Sequence, residues 1–226
     1  MKLKTCPLYS FCFTIVFLFF WNISTFAAEQ KCPESINNSY ECAQYLEKKL
    51  NKKYPKLFSR NERKLTANLS ALKQKTYIDS INDDVNGKWY SFVLYYPEIG
   101  FGLIEVQFYE GGTSYLLNLK TGKDFEIGGH PTISPDRRRI AVSNVDLESQ
   151  YTPNILAVYE IKGDALITIF EEMPDNWGAG NVQWINNNDL SFTKYSLDSQ
   201  LNTRKELKKL KKRVQDKTGK QVWIIE

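Results

Sequence analysis

The chain has 226 residues, with 30 Lys and Arg against 26 Asp and Glu, 13 Phe, 13 Tyr, 5 Trp, four Cys and one His. With 42% hydrophobic and 25% charged residues, it falls outside the disordered, collagen-like and multi-span membrane classes. Its formal charge is +4, and charge alone would permit a nucleic-acid partner, which the export signal at its N-terminus disfavours.

Residues 1–27 read as a secretory signal peptide. Lys2 and Lys4 precede a nearly unbroken apolar run from Leu8 to Trp21, no acid intervenes, and Thr25 and Ala27 fill the −3 and −1 positions of a cleavage site. A run of about 14 residues is short for a membrane span of about 20, so cleavage near Ala27 is expected rather than a retained anchor. No lipidation box precedes any Cys. The expected product is periplasmic or secreted, does not span the membrane after cleavage, and carries 28 bases and 26 acids from Ala28 to Glu226.

Only Cys32 and Cys42 remain after cleavage, and in an oxidising compartment they can pair in one way. A metal site or redox pair needs a closer Cys spacing or a nearby His, and neither is present. A helix should follow, capped by Asn38 with Glu41 three residues on, and Ala43, Leu46 and Leu50 form its apolar stripe before Pro55. Glu47, Lys48, Lys49, Lys52 and Lys53 are expected on its solvated face. Residues 28–60 thus form a disulfide-stapled helical segment ahead of a β domain over 61–226.

Beyond Pro55 the pattern alternates and is rich in β-branched and aromatic residues. Strands are predicted at Lys64 to Leu69, Trp89 to Tyr96, Leu103 to Tyr109, Tyr115 to Leu119, Arg139 to Val142, Ile155 to Ile161, Ala165 to Phe170 and Leu190 to Thr193. Turn signals separate them at Gly111-Gly112, Lys120 to Lys123, Lys162-Gly163-Asp164 and Asn186 to Asp189, giving an antiparallel meander. A unit of about fifty residues recurs: Pro131 to Val142 aligns with Asn181 to Phe192, and Asp84 to Phe92 aligns with both, so Trp89 to Phe92 would be the second strand of its unit.

Pro131 to Val142, with Ser134-Pro135-Asp136, resembles the strand-turn-strand of TolB-like and WD40-like β-propeller blades, Arg137 standing where such turns usually have Gly. The resemblance implies a mainly β fold of about three propeller-like blades, too few for a standard closed ring, which would pack as a truncated open stack, take strand Lys64 to Leu69 as a missing partner, or assemble with other chains. Tyr40 to Gln44 is also similar to the start of exported bacterial proteins of uncharacterised family.

Within the last unit, Thr203 and Glu206 suggest a capping box and Leu207, Leu210 and Val214 a narrow stripe, predicting an inserted basic helix over 203–216. Lys205, Lys208, Lys209, Lys211, Lys212 and Arg213 would form its basic surface. Nine bases and two acids lie between Thr203 and Lys220, so the rest of the mature chain is acidic. Such a helix could be solvated, contact an anionic lipid or wall polymer, or dock an acidic protein.

His130 is the lone His, so no His-rich zinc site exists and a Ser-His-Asp triad would need that residue. No catalytic, metal or cofactor site is expected. Acid pairs such as Asp83-Asp84 and Glu171-Glu172 leave open a carbohydrate-active enzyme using carboxylates. The expected ligand-binding rim comprises Asp175, Asn176 and Trp177 with Asp146, Glu148 and Tyr151, and Tyr96 to Phe101 nearby; alternatively Trp177 lids the core. The reading is an exported, non-catalytic binding module of the cell envelope, with a protein or glycan partner and no nucleic acid, in one form a periplasmic inhibitor or immunity protein. Asn37 and Asn68 are glycosylation acceptors only in a eukaryotic host.

Overall fold

The Asn38 cap forms as its sequence predicts. In the computed structural model, which describes residues 32–36, 38–70, 73–80, 87–214 and 221–226, helix α1 (Ser39–Lys53) follows directly. The Asn38 side chain accepts from Tyr40 N at 2.8 Å, and Ala43, Leu46 and Leu50 are buried. Cys32 and Cys42 are joined by a disulfide with Cα atoms 5.7 Å apart, closing the chain onto the first turn of the helix. The expected signal peptide lies outside the described residues.

Glu47 departs from the expected solvated face. It is 5% exposed, because Arg60 reaches across to it with two donors and Phe92 N donates to it at 3.0 Å. Arg60 also donates to Asp79 Oδ2 at 3.0 Å and to the Tyr90 carbonyl, while Tyr90 N donates to Asp79 Oδ1 at 2.9 Å. This ion network clamps α1 to the two strands that carry Arg60 and Phe92 and to Asp79, just beyond a third, its Glu-Arg-Asp charges compensating one another out of water. Burial opposes the guanidinium charge, but hydrogen bonds and charges from Glu47 and Asp79 raise the Arg60 pKa above its ordinary value.

Four antiparallel sheets follow. The first holds β1 (Phe58–Asn61), β2 (Lys64–Asn68) and β3 (Gln74–Ile78). The second holds β4 (Trp89–Tyr96), β5 (Phe101–Gln107), β6 (Gly112–Asn118) and β7 (Asp124–Glu126). The third runs β8 (His130–Ile133), β9 (Arg139–Asn144), β10 (Ile155–Lys162), β11 (Ala165–Glu172), and the fourth β12 (Trp177–Trp184), β13 (Asp189–Leu197), β14 (Thr203–Val214), β15 (Gln221–Ile225). Each is a simple meander, so successive turns alternate between its two ends.

The core lies in three seams between these sheets. Phe58, Leu65, Phe92 and Ile104 fill the first; Val93, Leu103, Ile140 and Ile155 the second; Ala141, Leu156, Trp184 and Phe192 the third. Side chains tie each sheet to the next: Tyr77 Oη donates to Asp124 Oδ1 at 2.6 Å, Tyr96 Oη to the Pro131 carbonyl at 3.5 Å, and Trp184 Nε1 to the Thr132 carbonyl at 3.1 Å. Among the described residues no apolar cluster joins the first sheet to the last.

The expectation of about three propeller-like blades with a C-terminal inserted basic helix is therefore corrected on three points. Residues 58–78 build an additional sheet, of which only the middle strand had a readable pattern; Ser59-Arg60-Asn61 and Gln74-Lys75-Thr76 are too polar and short to show alternation. Trp89 to Phe92 begins the first strand of its sheet, not the second. Finally, the described part of 203–216 is strand β14, with nine residues from Thr203 to Lys211 in register with Leu197 to Asp189. Long-range pairing along all of β13 outweighs the high local helix propensity of a Lys- and Leu-rich segment. Arg137 does occupy a left-handed turn position, at φ 60°.

Candidate functional site

One end of the stacked sheets collects the turns that follow β5, β9, β11 and β13. The longest, between β9 and β10, is built on Asp146. Its Oδ1 accepts from Ser149 N at 3.1 Å and Gln150 N at 3.0 Å, and its Oδ2 from Tyr151 N and Thr152 N, both at 2.9 Å. Burial pushes this carboxyl up, but the backbone donors of Thr152, Gln150 and Tyr151 outweigh it and hold it below the usual carboxylate range. Asn144 and Asn154 complete the loop by bonding Thr152 Oγ1 and Asp146 N, each at 2.8 Å. Asp146 thus spends its lone pairs on holding the loop, while Glu148 and Tyr151 project from it, Tyr151 58% exposed.

The start of β12 and the β5–β6 turn touch this loop. At Gly178, a Cβ would stand 2.9 Å from Val145 Cα and 2.8 Å from Asn154 Oδ1, so only glycine lets the start of β12 approach. Gly111, at φ 80°, abuts Tyr151 in the same way from the β5–β6 turn. A cavity of about 250 Å³ separates Val145 to Ser149 from Tyr195, Leu197 and Thr203 of the last sheet.

The structure brings the expected rim residues Asp146, Glu148, Tyr151, Asp175, Asn176 and Trp177 to this one end. Asp175 and Asn176 are exposed. Trp177 is half-buried against the third seam, 6.1 Å from the Phe192 ring and lying under Lys194 Nζ at 5.1 Å, so it is in large part a core lid. Tyr96 to Phe101 does not join them: the β4–β5 turn is at the opposite end, lining a cavity of about 450 Å³ with Lys120 and Asp164, themselves 3.3 Å apart. Three rim residues were missed in the sequence: Tyr109, Met173 and Leu201, which are 69%, 56% and 76% exposed on the adjoining turns. Their signal was a large apolar side chain in a segment otherwise made of turn residues, such as Leu201 within Asp198 to Asn202.

The expected basic surface is divided by the strand geometry. Lys208 and Lys212 share the core-side face with Leu210, whereas Lys205, Lys209, Lys211 and Arg213 take the other. Lys208 pairs with Glu206 at 2.7 Å, Lys211 with Glu226 at 2.5 Å, Arg213 with Asp189 at 3.5 Å, and Lys205 lies 5.6 Å from the Tyr195 ring.

His130 is exposed at the start of β8, and its charge acts on Glu105 of β5. Glu105 sits in register between the buried Ser91 and Ser114, and burial pushes its carboxyl up, offset in part by His130. Among the described residues no three His, Cys, Asp or Glu side chains gather to hold a metal ion. Nor is any described helix long and apolar enough to cross a membrane. The Cys32–Cys42 disulfide fits an extracellular or periplasmic setting. Among the described residues, the fold is that of a mainly β protein of four antiparallel sheets with one short helix. The chain matches no protein-family model, no curated protein and no solved structure.

Proposed function

We propose that this chain is an exported, non-catalytic binding module of the cell envelope that holds a protein or glycan partner at the rim. The observation that supports it is the grouping of exposed Tyr109, Tyr151, Met173 and Leu201 on turns at one end of the sheets, interspersed with the exposed acids Glu110, Glu148 and Asp175. Apolar anchors among polar groups are the composition of recognition surfaces, and a loop pre-ordered by Asp146 loses little entropy on binding. The acids favour a partner with a basic contact surface. An inhibitor or immunity protein facing an envelope-targeting enzyme is one form of this role.

The rim lends less support to a carbohydrate-active enzyme, since both oxygens of Asp146 are taken up by loop amides. The test is affinity capture from envelope extract by the mature chain and by the double variant Glu148→Ala/Tyr151→Ala, whose side chains are exposed and leave the fold intact. A partner retained by the first and lost by the second is expected. Equal retention would refute the rim.

A further inference from the structure

Strand β14 is longer than the strand outside it. β15 pairs with Leu210 to Val214, and Glu226 extends this by one residue through two bonds with Lys209, at 3.0 and 2.8 Å. Among the described residues nothing continues the ladder beside Thr203 to Lys208, which are paired only with β13 on their inner side. Because Lys209 turns its N–H and C=O outward to Glu226, the alternation of an antiparallel ladder turns those of Leu207, Lys205 and Thr203 outward too. These outward groups form an open backbone edge in line with β15.

The side chains along this edge select what can pair with it. Arg204, Lys205, Lys208 and Lys209 oppose a single acid, Glu206, and Leu207 is 73% exposed among them. Two copies pairing edge to edge would set Arg204 and Lys205 against Lys208 and Lys209, which like-charge repulsion disfavours. An acidic strand meets the opposite situation: its backbone completes the ladder, its carboxylates face the lysines and an apolar residue covers Leu207.

We propose that the open edge at Thr203 to Lys208 takes an extended acidic segment of a partner protein by strand addition. The edge adjoins the rim at Thr203, which lines one cavity with Glu148, but Lys205 lies outside that lining, so a change there and a change at Glu148 and Tyr151 test the two surfaces independently.

The probe is a fluorescein-labelled, capped eight-residue peptide of Glu with a single central Val, so that Val can meet Leu207 while carboxylates flank it on both faces, followed by fluorescence anisotropy at low ionic strength. Saturable binding is expected, weakening as salt is added. The same peptide with every backbone nitrogen methylated keeps its charges but cannot donate to the edge, and should bind at least tenfold more weakly. On the protein, Lys205→Pro removes one outward N–H at a position where an edge strand tolerates proline, and Lys205→Gln removes the charge alone. The first should weaken binding more than the second, with circular dichroism unchanged. Equal affinity for the two peptides would overturn strand addition and leave only a charge contact. Absence of peptide binding alongside binding to phosphatidylglycerol vesicles would overturn it in favour of a lipid surface. Self-association of the chain that is abolished by Lys205→Pro would overturn it in favour of a second copy.

Discussion

Replacing Arg60 by Ala should unfold the clamp that seats α1 on the sheets. The guanidinium makes two bonds to Glu47, one to Asp79 and one to the Tyr90 carbonyl, and the two acids are 5% and 7% exposed. Deleting it strands two buried carboxylates without a counter-charge, which costs about 3–5 kcal/mol by the measured behaviour of broken buried ion pairs. With a urea m-value of about 2 kcal/mol/M, the midpoint should fall by about 1.5–2.5 M. Arg60→Lys keeps the charge but not the fork of donors, so its midpoint should fall between the two. Urea titrations followed by Trp fluorescence measure this, Trp89 lying on the clamped strand β4. A shift of about 0.5 M or less for Arg60→Ala, the scale of an exposed pair, would refute the clamp.

Four further outcomes follow from the same geometry. Glu105→Gln should raise the thermal midpoint at pH 7: burial raises this carboxyl's pKa, so the stability of its neutral form is complete below about 4.3 and is lost as pH rises through the folded value. A variant no more stable than the parent at pH 7 would contradict it. Asp146 is the opposite case, held low by its amide donors, so its contribution is present above about 3.9 and lost as pH falls through the folded value. Asp146→Ala at pH 7 and acidification of the parent should each speed amide exchange at Ser149, Gln150, Tyr151 and Thr152; unchanged exchange in the variant would contradict it. Arg137→Gly, at φ 60°, should stabilise by about 0.5–1 kcal/mol, the left-handed strain less the entropy of glycine. Gly102→Ala should destabilise by about 1–3 kcal/mol, since its Cβ would fall 2.3 Å from the ring of Phe92, which is stacked on Phe58 and fully buried; a neutral effect in urea titration would contradict that.

What the sequence disclosed follows the range of the forces involved. The Asn38 cap, the Ala43-Leu46-Leu50 stripe and the hairpin turns at Lys120 to Lys123 and Lys162 to Asp164 depend on neighbours within a few residues, and all are found in the structure. Glu47 was misplaced because its partners lie 13 and 45 residues away, and no local pattern marks a buried carboxylate. The sequence of β14 points to a helix because its local chemistry favours one, while its partner β13 supplies a ready ladder, and a strand can be Lys-rich where its edge is open. The rim was half legible: Asp175 to Trp177 and Asp146 to Tyr151 were read as turns, but their meeting depends on Gly178 and Gly111 allowing backbone contact between different sheets. Tyr96 to Phe101 lies apart from them because alternate turns of a meander point to opposite ends, and which end a turn takes depends on the strand order.

The most direct measurement is the dissociation constant of a partner captured from envelope extract, compared between the mature chain and Glu148→Ala/Tyr151→Ala. The rim account predicts a loss of at least tenfold in affinity with the urea midpoint unchanged. An unaltered dissociation constant would contradict it.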